Sequence, residues 1–304
     1  MTTCAICGYS TTRVNKSPLF SRFYKCSKCA GLFLPMKVEV RYRENYFQQK
    51  TNKSVLASIA RPLLDFFYWL RVKKVAHILT GRKSDYVLDY GCGSGKLVGY
   101  LRKYGINALG FDPSPAARRI AQNNKLPVLG TVKHIRNGYE MIMFWHSLEH
   151  THNPLKIIKK TTKYLKRGSR ILIAVPNVDS FEAVLTKERW FHYSYPLHQV
   201  HFTPKALATM LQKSGFRNVK FDFFNPEYTF TGLTQSLLNV VLPKDILYSV
   251  VTHRRLSTSR TEAFALGVLS LLLIILFLPV LIMFYTLALI FRKTGAMVVV
   301  ARYE

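Results

Sequence analysis

"YVLDYGCGSGKLVGYLRKYG", Tyr86–Gly105, holds a short apolar run, a glycine-rich turn and a stretch with helical periodicity, in that order. Tyr86–Tyr90 ends beside Asp89 and has the pattern of a strand buried on both faces of a parallel sheet. Gly91, Gly93 and Gly95, with Cys92 and Ser94 between them, let the backbone approach a ligand at the carboxyl edge of that strand. Lys96–Tyr104 is the expected helix. Strand, loop and helix together predict an α/β fold built on a parallel sheet.

The next stretch strengthens this reading. "ALGFDPSPAARRIAQ" (108–122) supplies a second strand, Ala108–Phe111, that runs into Asp112. A carboxylate at the end of the second strand is placed to accept both hydroxyls of a ribose. Ser114 and Pro115 then read as the cap and first-turn proline of a helix. The loop spacing is G-x-G-x-G, preceded by an acid, and not the G-x-G-x-x-G that admits a pyrophosphate. A carboxylate at Asp89 repels phosphate and suits a cationic ligand. S-adenosylmethionine (SAM), with a sulfonium, an ammonium and a ribose but no phosphate, fits better than a dinucleotide.

Working outward to the amino terminus, Cys4 and Cys7 are followed by Cys26 and Cys29. Two C-x2-C pairs at this separation predict a closed four-thiolate zinc site in a ribbon spanning 1–35. Gly8 and Gly31 follow the two knuckles, where tight turns are expected. From 36 to 80 a connector leads into a basic amphipathic helix, Ser54–Leu79, interrupted by Pro62. The chain opens without the apolar core of a secretory signal, so a reducing compartment is expected.

The 304 residues carry 44 Lys and Arg against 16 Asp and Glu, a formal charge of +28. That surplus favours a polyanionic partner, either an anionic membrane face or nucleic acid. The apolar content is concentrated near the end. Phe264–Phe291 has no charged residue, and His253, Arg254, Arg255 and Arg260 precede it, with Arg292 and Lys293 after it. Met297–Ala301 then reads as a final strand. Basic flanks on both sides, and a strand that must return to the sheet, predict a hairpin hinged at Pro279. Its two arms are each too short to span a bilayer at about 1.5 Å per residue. The expected location is the cytoplasmic face of the cell membrane, held by a monotopic or re-entrant anchor.

Four stretches carry a resemblance: "VLDYGCGSGKLVGYLRKYG…GFDPSP", "MIMFWHSLEHTHNP", "YLKRGSRILIAVPNVDSFEA" and "RWFHYSYPLHQVHFTPKALATMLQKSGF". In this order they resemble a bacterial class I SAM-dependent methyltransferase family whose members often carry amino-terminal CxxC pairs. More distantly they resemble quinone O-methyltransferases. The resemblance implies a doubly wound, Rossmann-like sheet of seven strands, with the last strand antiparallel beside one expected at Val219–Phe224. It places SAM over Asp89, Gly91, Cys92, Gly93 and Gly95, with Asp112 on the ribose and Trp145 at the same edge. The core is expected over 81–230, a membrane-associating insert over 231–293 and the last strand over 294–304. Many relatives read adenine with an acid after the third strand. "VLGTVKHIRNGYEM" has none before Glu140, which leaves backbone near Thr131–Lys133.

Met141–Phe144 reads as the fourth strand, and its carboxyl end delivers His146, Glu149 and His150. Histidine is the natural base for an O-methylation near neutral pH. In quinone O-methyltransferases the matching Glu-His pair is thought to help hold a metal or the acceptor. His192, His198 and His201 cluster further on, in a segment the family places over the active-site mouth. Tyr193, Tyr195 and His198 are substrate-lining candidates there, with aromatic packing the alternative. Thr203-Pro204 opens the next helix. The expected activity is O-methylation of a small-molecule or lipid-linked acceptor at the membrane. An RNA-modifying methyltransferase and an inactive scaffold are the alternatives.

Overall fold

A computed structural model of the chain describes residues 2–11, 15–40, 44–47, 55–79, 86–251 and 259–304. His253, Arg254 and Arg255 lie outside them, as does Ser54 at the expected start of the first long helix. The centre is a seven-stranded sheet. Its strands are β1 (Tyr86–Tyr90), β2 (Asn107–Phe111), β3 (Val128–Leu129), β4 (Tyr139–Trp145), β5 (Leu165–Pro176), β6 (Phe216–Asp222) and β7 (Ala296–Tyr303). The spatial order is β6-β7-β5-β4-β1-β2-β3. All pairs are parallel except those of β7, which is antiparallel to both β5 and β6.

Central strands alternate between two buried faces, as their unbroken apolar runs require. Leu88, Ile142, Phe144, Ile171, Ile173, Met297 and Val299 point to one core. Val87, Met141, Met143, Leu172, Ala174 and Val298 point to the other. The second face is covered by α1 (Val55–Ile78) and α2 (Lys96–Lys103), through Val72, Val75, Leu97 and Leu101. The α1 helix runs through Pro62 without the expected break.

The ribbon covers the first face, together with α4 (Pro154–Thr161) and α6 (Pro204–Gln212), while α3 (Pro115–Asn123) links β2 to β3. Its cysteines join the same core as Ile158 and Met210. Leu32–Phe33 pairs antiparallel with Val200–His201, so the ribbon's sheet takes its edge strand from the catalytic domain. Thr203 Oγ1 donates to Cys29 O at 3.1 Å and Lys213 Nζ to Cys7 O at 2.6 Å. Gly8 has the positive φ (+69°) that a knuckle turn needs. At the second knuckle that conformation falls on Ala30, not on Gly31. Gly31 is small for another reason: a Cβ there would stand 2.6 Å from Ile6 Cδ1.

After β5 come α5 (Phe181–Thr186), α7 (Pro226–Val241), α8 (Ile246–Val251) and α9 (Arg260–Ile290). The expected hairpin is corrected here. Residues 260–290 form one continuous helix with Pro279 inside it, about 46 Å long at 1.5 Å per residue. Proline removes one helical hydrogen bond and disfavours the turn before it. Contacts on both sides of Pro279 hold the halves in line: Ser270 is buried on one, Leu281 and Ala288 on the other. Phe284 meets Phe181, and Tyr285 meets Phe230 of α7. The remaining faces are apolar and open; Phe264, Ile275, Leu276 and Ile290 are 72%, 70%, 69% and 68% exposed. Among the described residues this is the one helix long and apolar enough to cross a membrane.

Candidate active site

The carboxyl edge of β1 turns into α2 through three glycines with positive φ, Gly91 (+81°), Gly93 (+56°) and Gly95 (+75°). Side chains are strained in that region. At Gly91 space forbids one as well, since a Cβ there would lie 2.6 Å from Ser147 Cβ. Asp112, buried at the end of β2, braces the loop. Its two oxygens accept from Gly93 N and Ser114 N, each at 2.8 Å. Ser114 Oγ in turn caps α3.

Asp89 is 2% exposed, and its Oδ1 has no hydrogen-bond partner. Burial pushes its carboxyl up to about 8, with nearby Asp112 adding to the rise and Arg71 opposing it. An orphaned acid beside a glycine cradle fits an ammonium-bearing ligand such as SAM. The Nε1 of Trp145 is also buried and unpartnered.

Arg71 is a residue the sequence reading passed over. It comes from α1, is 8% exposed, and lies over the Trp145 ring at 5.4 Å and the Tyr68 ring at 4.4 Å. It pairs with Glu227, its Nε 2.9 Å from Oε2, and donates to Tyr228 OH at 2.9 Å. The available signal was spacing: Arg71 sits in phase with Phe67, Val75 and Ile78 on the apolar stripe of α1.

At the end of β4, His146 takes a left-handed conformation (φ +49°), a costly one for a non-glycine residue. The turn brings its Nδ1 to 3.4 Å from Glu149 Oε1. That is ion-pair range without hydrogen-bond geometry, so both Glu149 oxygens stay unpartnered, as does His146 Nε2. Burial pushes Glu149 up to about 7 and, together with Arg71, pulls His146 down to about 3. The Tyr228 ring stacks on His146 with centroids 3.7 Å apart. His150 Nδ1 contacts Leu197 O at 3.1 Å, and its ring meets His198 at 4.8 Å. Ligand atoms of Glu149, His150 and His198 all lie within 4.8 Å of one another, close enough for one metal ion.

The other substrate-lining candidates go elsewhere. Tyr193 and Tyr195 stack on each other and meet the ribbon's Phe20 and Phe23 tilted or edge-on, so these contacts are aromatic packing. His201 sits in the same cluster, 4.8 Å from the Phe23 ring, and neither of its nitrogens has a partner.

In the ribbon, Cys4 Sγ lies 3.8 Å from Cys29 Sγ and Cys7 Sγ 3.7 Å from Cys26 Sγ. A tetrahedron of thiolates at about 2.3 Å from zinc has edges of about 3.8 Å, so the set fits that ion. A disulfide would require about 2.05 Å.

Residues 60–220 match the methyltransferase domain family, just over half of the chain. The chain belongs to that family. This SAM-dependent methyltransferase is 26% identical over 153 residues to an uncharacterized protein of Methanocaldococcus jannaschii, covering 47% of this chain and 68% of the relative. It is 24% identical over 119 residues to the ubiquinone biosynthesis O-methyltransferase of Aliivibrio fischeri, covering 36% of this chain and 51% of that enzyme. The methyltransferase thus spans about half the length of the quinone enzymes it matches. A SAM dependent methyltransferase structure from Archaeoglobus fulgidus aligns with a TM-score of 0.48 and 19% identity, over 77% of this chain and 91% of that one.

A contact between Asp89 and the cationic part of SAM would make SAM binding pH-dependent. With a carboxyl at about 8 in the free protein, most molecules carry the proton at pH 7. A cationic ligand favours the carboxylate. Binding is expected to release up to one proton and to tighten as pH rises towards 8, then level off. Titration calorimetry in buffers of different ionisation enthalpy reads that proton. An uptake, or no proton exchange, contradicts the contact.

Proposed function

We propose that this chain methylates an oxygen of a membrane-associated acceptor, a small molecule, glycolipid or lipid-linked saccharide, at the cytoplasmic face of the membrane. The observation that carries the reading is where the apolar helix ends. The residues joining α9 to β7 lie at the carboxyl end of β5, with Asn177 N donating to Gly295 O at 2.9 Å and Phe181 N to Lys293 O at 3.0 Å. The helix therefore runs into the sheet edge that carries the glycine loop and Glu149. Its docked stripe and open apolar faces suit a monotopic anchor lying along the bilayer surface. The quinone O-methyltransferase relatives support a small-molecule oxygen as acceptor. The basic surplus supports adhesion to anionic lipid.

When bound, SAM supplies a methyl carbon activated by its sulfonium. Asp89 would hold the ammonium, Asp112 the ribose, and Arg71 the carboxylate of the same ligand. Alignment of donor and acceptor does most of the work in such a displacement. His146, neutral at physiological pH, leaves its unpartnered Nε2 to accept the proton of the acceptor hydroxyl, with Glu149 Oε1 3.4 Å from its Nδ1. Glu149, held near neutrality, is matched to receive it. The four ribbon cysteines would hold a structural zinc.

Incubation with labelled SAM, followed by separation of lipid, RNA and protein fractions, tests the function. Label is expected in the lipid fraction; label confined to RNA refutes the reading. The anchor makes its own prediction. Leu272→Glu with Leu276→Glu places two charges on exposed faces of α9 and is expected to cut vesicle co-sedimentation at least about tenfold, since each buried CH₂ contributes about 0.8 kcal/mol. Undiminished sedimentation of the double variant counts against the anchor.

A further inference from the structure

A cleft of about 420 Å³ opens between the first ribbon knuckle and α4. Thr3 and Cys4 line one wall, and His152, Lys156, Lys159 and Lys160 line the other. The walls are set by backbone: Leu155 N donates to Ala5 O at 3.4 Å, and a Cβ on Gly8 would reach Leu155 Cδ2 at 3.1 Å. The volume falls in the range of about 300–1,000 Å³ typical of small-ligand sites.

The chemistry of the lining is cationic. Lys156, Lys159 and Lys160 stand at i, i+3 and i+4 of α4, a spacing at which like charges repel across one helix face. The helix carries no acidic residue. Among the described residues none of the three lysines enters an ion pair. His152 Nδ1 adds a buried nitrogen without a partner. His152, which lines the cleft, stands two residues after His150 in the chain.

We propose that this cleft binds a phosphate or diphosphate group. The inference deepens the reading of a lipid-linked acceptor, because a saccharide joined to lipid through a diphosphate brings that anion to the membrane face. Lysines act on phosphate as point charges and need no planar geometry, which suits three flexible ammonium groups around one multivalent anion.

The test uses the full chain in neutral detergent and inorganic pyrophosphate as probe, followed by calorimetry at low salt. The wild type is expected to bind saturably at one site. Lys156→Gln/Lys159→Gln/Lys160→Gln is expected to weaken binding at least tenfold. Lys103→Gln/Lys125→Gln/Lys220→Gln, an equal charge change at exposed lysines elsewhere, is expected to stay within twofold. Co-sedimentation then separates the sources. If the α4 variant also loses its preference for anionic over zwitterionic vesicles, the phosphate is a lipid headgroup; if only pyrophosphate binding falls, it is a free or saccharide-linked one.

Absence of saturable pyrophosphate binding by the wild type overturns the proposal. So does equal weakening in both variants, or α4-dependent binding of an RNA oligomer without pyrophosphate binding. Loss of zinc from the α4 variant, with no pyrophosphate effect, would show that the lysines merely balance the four thiolates. Each outcome is independent of which fraction labelled SAM marks, so the site and the acceptor reading fail separately.

Discussion

Asp112→Ala is expected to weaken SAM binding by about 100-fold or more. In the free protein both Asp112 oxygens accept backbone amides, from Gly93 and from Ser114, and so tie the glycine loop to the end of β2. Under the proposed assignment their remaining lone pairs would accept the two hydroxyls of the ribose. A hydrogen bond to a charged group contributes about 1.5–3 kcal/mol, so losing two costs about 10²–10⁴-fold in affinity. Asp112→Asn keeps the shape and one acceptor oxygen, and should fall between. Calorimetry measures the affinities, and thermal melting checks that each variant folds. A SAM analogue without the 2′- and 3′-hydroxyls should lose the advantage of the wild type over the asparagine variant. Near-equal SAM binding by wild type and alanine variant would falsify the assignment of the ribose to this carboxylate.

Zinc removal should have the second large effect, and it should reach beyond the ribbon. The intact protein is expected to contain one zinc per chain by elemental analysis, and Cys29→Ser is expected to abolish it. Structural zinc in small peptides contributes about 10–16 kcal/mol of apparent folding free energy. Even half of that lowers the melting temperature of a core this size by more than about 10 °C. The catalytic edge should suffer too. Leu32–Phe33 pairs with Val200–His201, and Gln199 N donates to Glu149 O at 2.8 Å. Loss of the ribbon therefore loosens the segment that carries His198 and holds Glu149. Methyl transfer should decline in the metal-free protein although no cysteine touches the reacting atoms. A chelated protein that melts and turns over like the untreated one would remove the case for zinc.

How far the sequence could be read follows from where each element sits. β1 and β2 were legible almost to the residue, because strands buried on both faces are unbroken apolar runs closed by a polar turn. β6 was expected at 219–224 and lies at Phe216–Asp222. Its pairing with β7 shifts between Arg217 and Lys220, and Asn218 is left-handed, so a bulge breaks the alternation on which the reading relied. Pro62 and Pro279 both looked like breaks and both lie inside helices. Proline biases a few residues locally, and at Pro279 contacts on both sides, Ser270 on one and Leu281 and Ala288 on the other, accompany a continuous helix.

The candidate site divides in the same way. Asp89, the three glycines and Asp112 follow one another on two adjacent strand ends, so their meeting was implicit in strand order. His146, Glu149 and His150 share one short turn after β4 for the same reason. Arg71, Glu227 and Tyr228 meet over Trp145 and His146 from helices more than 150 residues apart in the chain. No local pattern announces such a meeting.

By itself the sequence determined the α/β class, the glycine loop with its two carboxylates, the thiolate quartet and the presence of a long uncharged apolar segment. Each is written in spacing that a strand, a turn or a knuckle converts directly into geometry. Only the tertiary structure decided that the apolar segment is one helix ending at the catalytic edge. It also decided that the ribbon shares a core with the enzyme, and that a lysine-lined cleft opens between them. Those outcomes depend on surfaces brought together by the whole sheet, and the energy of docking two surfaces is not stored in either stretch alone.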